Sequence, residues 1–136
     1  MRTNLLVILI LACLLLTATP SRAHHAFAAE FDINRPVSLT GTLTKVEWVN
    51  PHAWFHIEVK SPDGRVTEWM VEGGSPNTLL RHGFTRTTLE EGTVLVVTGY
   101  QAKDGTNKAN GKDMTFKDGK KLFLGSSAGD GPTSAK

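Results

Sequence analysis

The sequence predicts a mainly β protein, a small closed barrel of five strands with one short helix between the third and fourth. Three observations carry that expectation. Apolar residues recur with period 2 in several short runs. Turn residues punctuate those runs at close intervals, and a single helix signal falls in the middle. The central run is Ala53 to Lys60, with Ala53, Phe55, Ile57 and Val59 on one face and Trp54, His56 and Glu58 on the other. The apolar set must face a core, and the opposite face carries a tryptophan and histidine.

In chain order, Met1–Asn4 is a short basic head and Leu5–Leu16 an unbroken apolar run of signal-peptide length. Ser21-Arg22-Ala23 then supplies small residues at the −3 and −1 positions of a cleavage site, so residues 1–23 are expected to be removed. About 20 apolar residues would be needed to cross a bilayer, so no stable span is expected after cleavage. Cys13 sits in a loose lipoprotein-like box, but Leu14-Leu15-Leu16 follow it where such a box should end. The expected location is the periplasm or the outside of the cell.

Cleavage would remove Arg2 and Arg22 and no acid, so the 15 Lys+Arg of the whole chain fall to match its 13 Asp+Glu. A neutral mature chain offers no electrostatic footprint for nucleic acid. Cys13 also leaves, and the folded part must hold together by packing without a disulfide.

His24–Asn34 has no clean period, and Arg35-Pro36 ends it. Val37 to Leu43 alternates strictly, and the parity shift to Val46 and Trp48 predicts a bulge that bends a long first strand. Asn50-Pro51 breaks the chain before the central strand. Ser61-Pro62-Asp63-Gly64 predicts a tight turn into a third strand, Arg65–Glu72, with Thr67, Trp69 and Val71 on one face. Glu68, Met70 and Glu72 take the other, without an evident acid/base partner. Ser75-Pro76 is an N-cap and first helical residue, Asn77–His82 about two turns, and Gly83 a C-cap. Thr87 to Glu90 is spaced as a further capping box.

Thr93–Tyr100 is the most β-prone run. Gln101–Gly111 reads as a loop by composition, and Lys112–Leu124 as a last hairpin turning at Asp118-Gly119. The domain is therefore set at residues 24–124, with 125–136 a disordered low-complexity tail. Three strands, a short helix and two further strands is the element order of the OB-fold, whose second and third strands commonly form the binding face.

Cleavage after Ala23 would make His24 the amino terminus. Its α-amine and imidazole can then chelate one metal together, a histidine brace that a third nitrogen would complete, and such nitrogen sets suit copper(II). His25 offers an alternative through amine, amide and ring. His52 and His56 are four apart on a strand, about 13 Å at the usual rise, so only one of them can be the third ligand. His82 is a further candidate, although its place before Gly83 suits a helix C-terminus. Met70 is a possible soft ligand for copper(I), and Trp54 and Met70 mark a ligand surface. Trp48 and Trp69 fall at inward positions.

Nucleophile elbow, HExxH, P-loop and dinucleotide signatures are absent, which favours binding over catalysis. Two readings follow: an exported protein holding copper at its mature N-terminus, or a metal-free module binding a small molecule, glycan or envelope protein through the Trp54 face. A copper-dependent oxidase would require the brace to exist.

Ala23-His24-His25-Ala26-Phe27, Leu39-Thr40-Gly41-Thr42, Val46 through His52 and Gly74-Ser75-Pro76-Asn77 together resemble a family of small exported bacterial proteins grouped as a domain of unknown function. Its members begin their mature part with an AHHSF-like string and carry an NPH motif. Val96-Val97-Thr98-Gly99-Tyr100 and Ala102-Lys103-Asp104-Gly105 extend the resemblance over nearly all of the mature chain. It implies a signal peptide and a small β-rich domain, and no activity. Ala26 replaces the serine of the string, whereas His24, His25 and His52 match.

Overall fold

The computed structural model describes residues 23–125; the expected signal peptide and the tail from residue 126 lie outside the described residues. Helix α1 (Ala23–Glu30) leads directly into β1 (Phe31–Glu47). Then come β2 (Trp54–Lys60), β3 (Val66–Glu72), α2 (Pro76–Arg81), β4 (Val94–Ala102), β5 (Lys108–Phe116) and β6 (Lys121–Phe123). All six strands belong to one sheet in the order β3-β2-β1-β4-β5-β6, and β3 also pairs with β5, closing five strands into a ring. The closing pair is parallel, Met70 to Lys108 through Glu72 to Asn110, whereas the others are antiparallel.

The long first strand makes closure possible. Its first half pairs with β4 and its second with β2, and the register slips between Leu43 and Lys45, at the expected bulge. Alternation then sorts the side chains: Leu39, Leu43, Phe55, Ile57, Val71, Leu95, Val97 and Met114 fill the interior. Trp48 and Trp69 pack against this core, half-buried. The Ser61–Arg65 turn closes with Gly64 at φ 86°, a left-handed conformation that favours glycine. In α2 the Ser75 side chain accepts from the Thr78 N–H, with Pro76 opening the helix.

Four expectations are corrected. The stretch 24–34 is helix through Glu30 and strand from Phe31, and β1 runs on through Arg35-Pro36; alanine-rich α1 gains its stability by docking Phe27 and Phe31 against Tyr100 and Ala102. Gln101–Gly111 is mostly strand, because β4 runs on to Ala102 and β5 starts at Lys108. Its polar Lys108 and Asn110 take the outer face on either side of inward Ala109, so composition alone concealed it. Among the described residues the strands number six, the last hairpin adding the three-residue β6 beside β5, outside the five-strand ring. Thr87–Glu90 forms a turn held by reciprocal Thr85–Thr88 hydrogen bonds, with no helix.

Candidate outer-face site

Cross-strand register places four residues in one row on the outside of the ring. Tyr100 opposes Asn110, Asn110 opposes Glu72, and Glu72 opposes Trp54, from β4 through β5 and β3 to β2. Their neighbours Val71, Phe55 and Ala109 point inward and are fully buried. Strand spacing makes this row about 14 Å long. A second row, Lys108, Met70, His56 and Lys45, runs beside it. Helix α1 lies over the Tyr100 end through the apolar cluster of Phe27, Phe31 and Ala102.

Glu72 is the most constrained group of the row. It is 6% exposed, receives a hydrogen bond from Asn110 Nδ2 at 3.3 Å, and stands 3.5 Å from His52 Nδ1. Burial pushes its carboxyl above the usual 4.5, with His52 opposing, Glu30 adding to the rise, and Lys108 and Asn110 opposing. Asn110 Oδ1 is buried and, among the described residues, without a hydrogen-bond partner.

Linkage gives a test. A carboxyl whose folded value is raised binds more protons folded than unfolded, so its contribution is full below 4.5 and is lost as pH rises through the folded value. Wild-type stability is expected to fall over that window relative to Glu72→Gln, which cannot ionise. Thermal melts at a series of pH values measure it, and a difference that stays flat with pH would refute the assignment.

His52 lies just before β2, after the cis Asn50–Pro51 bond, with its side chain 37% exposed. Its Nδ1 is 3.2 Å from the Gly73 carbonyl oxygen, which can only accept, so Nδ1 carries the hydrogen. Nε2 is then the free lone pair of the neutral ring, and it makes no hydrogen bond among the described residues.

His56 is different. Glu68 Oε1 is 3.0 Å from Nδ1 and Glu47 Oε1 3.2 Å from Nε2, so a carboxylate occupies each ring nitrogen. Both ring nitrogens of His56 thus face a carboxylate, and Glu68 and Glu72, expected to lack an acid/base partner, each have a histidine beside them. The Lys45 ammonium beside Glu47 holds that carboxyl below the usual 4.5 through a hydrogen bond, with burial opposing.

His82 caps α2 and directs Nδ1 at the Phe123 carbonyl, 3.0 Å away, which ties the helix to β6. Met70 lies in the second row opposite His56, one row removed from Glu72. The Trp54 ring has the Lys108 ammonium 5.1 Å from its centroid. His24 and His25 fall in the first turn of α1 by backbone, and their side chains lie outside the described residues.

The structure thus brings His52 and Trp54 to one region and sets His56 and Met70 beside it. Among the described residues no group of three or more His, Cys, Asp or Glu side chains is placed to hold a metal ion together. Sequence reasoning missed Glu30, Lys108 and Asn110. No sequence-local signal marks Lys108 or Asn110, because β5 meets β3 only through ring closure, 38 residues away. No helix is long and apolar enough to cross a membrane among the described residues.

No curated protein and no solved structure matches the chain. The family model described as "Family of unknown function (DUF6152)" matches residues 11–112, well over half of the sequence, and the chain belongs to that family.

Proposed function

We propose that this is an exported binding protein, an OB-like barrel that holds a copper ion between a freed N-terminal His24 and His52. The barrel reading rests on the ring order β1-β2-β3-β5-β4 with a short helix between β3 and β4. The copper reading is carried by one observation: His52 donates Nδ1–H to the Gly73 carbonyl, with the Glu72 carboxyl beside it, leaving Nε2 available. Metal-binding histidines are characteristically oriented in this way by a carbonyl or carboxylate on the other ring nitrogen. Glu30, six residues after His24, pairs with Lys108, whose ammonium stands over Trp54 two residues past His52, so the Glu30 end of α1 lies near the His52 region. Three nitrogens, the α-amine, the His24 ring and His52 Nε2, form a set that copper(II) accepts.

Copper titration of protein beginning at His24 tests this. One extra residue ahead of His24 is expected to weaken binding at least about a hundredfold, beyond the loss of an outer-shell partner. Equal affinity in the extended chain would overturn the reading.

The row Trp54–Glu72–Asn110 favours a second reading, a metal-free module whose ligand lies across β2, β3 and β5. It offers an aromatic ring, a buried carboxyl and an unpartnered amide oxygen. Such sites combine an apolar body with a few placed polar groups. This reading predicts indifference to the extra residue.

A further inference from the structure

The contacts that hold α1 divide into two sets. Phe27 and Phe31 stack on each other, centroids 5.8 Å apart, and Phe27 meets Tyr100 edge-on at the same distance. Lys103 adds two bonds, its N–H to the Glu30 carbonyl and its Nζ to the Ala28 carbonyl. All of these tie the helix to β1, β4 and the residue following β4. Among the described residues one side-chain contact reaches further across the outer face: Glu30 Oε1 accepts from Lys108 Nζ on β5 at 2.6 Å. The same ammonium stands over Trp54 on β2. Lys108 is therefore a bridge from the helix to the strand that follows His52.

We propose that Glu30, Lys108 and Trp54 form a positioning clamp that sets the direction of α1, and with it where the His24 end of the helix stands relative to His52. This rests on the copper reading for its purpose and on the contacts above for its existence. Without the clamp, the helix keeps its anchors at Phe27, Ala28 and Phe31 along one side but loses its tie toward β5 and β2, so it can roll and tilt about that line. His24 lies three residues before Phe27, about 4.5 Å along a helix, so such a tilt shifts the N-terminal end by about an ångström or more. A chelate with one arm on the helix and one on the loop before β2 is sensitive to that displacement. Lys108 serves here as a fixed cation with two partners, and it need not touch the metal.

The test uses the complete mature chain beginning at His24, with Lys108→Met, Glu30→Gln, the double variant and Lys108→Arg. Two readouts are followed: amide hydrogen exchange at residues 27–30, and the affinity and visible spectrum of the copper complex. An exposed ion pair together with a cation–π contact predicts about tenfold faster exchange and about tenfold weaker copper binding in each single variant. The double variant should be no worse than either single one. Lys108→Arg should restore both readouts, because guanidinium keeps the charge and stacks on the ring. Unchanged exchange in Lys108→Met overturns the clamp, whatever copper does. Faster exchange with unaltered copper affinity and spectrum, in a wild type that does bind copper at its N-terminus, overturns its positioning role. A wild type that binds no copper there defeats the copper reading, and exchange alone then decides whether the clamp docks the helix.

Discussion

Phe55→Ala is expected to cost about 3–5 kcal/mol, the range for removing a fully buried aromatic ring. Phe55 has no exposed surface, is the second residue of the core strand β2, and faces Phe84 with ring centroids 6.3 Å apart. The effect should extend to the site. A Cβ on Gly73 would stand 2.7 Å from Phe55 Cε2, so the ring packs directly on the glycine whose carbonyl accepts the His52 hydrogen bond. Losing the ring leaves a cavity under that carbonyl and frees His52 to change orientation. Urea unfolding should show a lower midpoint with little change in slope. The His52 ring resonances should broaden or shift in the same variant. A loss under about 1 kcal/mol would show that the site collapses around the gap, contrary to close packing.

Gly99→Ala is expected to be nearly as damaging, at the upper end of the about 1–3 kcal/mol typical of overpacking. An added Cβ would overlap the Asn110 carbonyl oxygen and stand 3.0 Å from its carbon and 3.1 Å from Gly111 Cα. These are backbone atoms in a paired strand, so no side-chain rotation relieves the contact. Gly99 lies beside the register slip between β4 and β5 and opposite Gly111. Parting the strands there would disturb the Tyr100–Asn110 pair of the outer row. The expected outcome is a protein that melts well below the wild type and loses protection at the β4–β5 amides first. Wild-type stability with unchanged exchange would mean that the two strands can separate without cost.

Much of the fold was legible because its signals are local. The inward set Phe55, Ile57 and Val71, the bend past Leu43, the Gly64 turn and the Ser75-Pro76 helix start follow from alternation, a parity shift and turn and cap chemistry. The β5 start at Lys108 was not, because its outward residues are polar and its stability comes from two neighbours. Helix α1 is marked in sequence only by its four alanines in eight residues, a propensity signal that its mixed histidines and phenylalanine obscure.

The candidate site divides along the same line. The order of residues alone specifies which face of β2 carries Trp54 and His56, because side chains alternate whatever the partner strand. It also determined that His52 follows a proline break and that the segment holding His24 precedes the first strand. Strand pairing set both His56 nitrogens against the carboxyls of Glu47 and Glu68, while His52 keeps Nε2 free of contacts among the described residues. It alone buried Glu72 beside Asn110 and brought Lys108 over Trp54. Those relations depend on strand register and ring closure, which join residues far apart in the chain, and no short-range pattern encodes them.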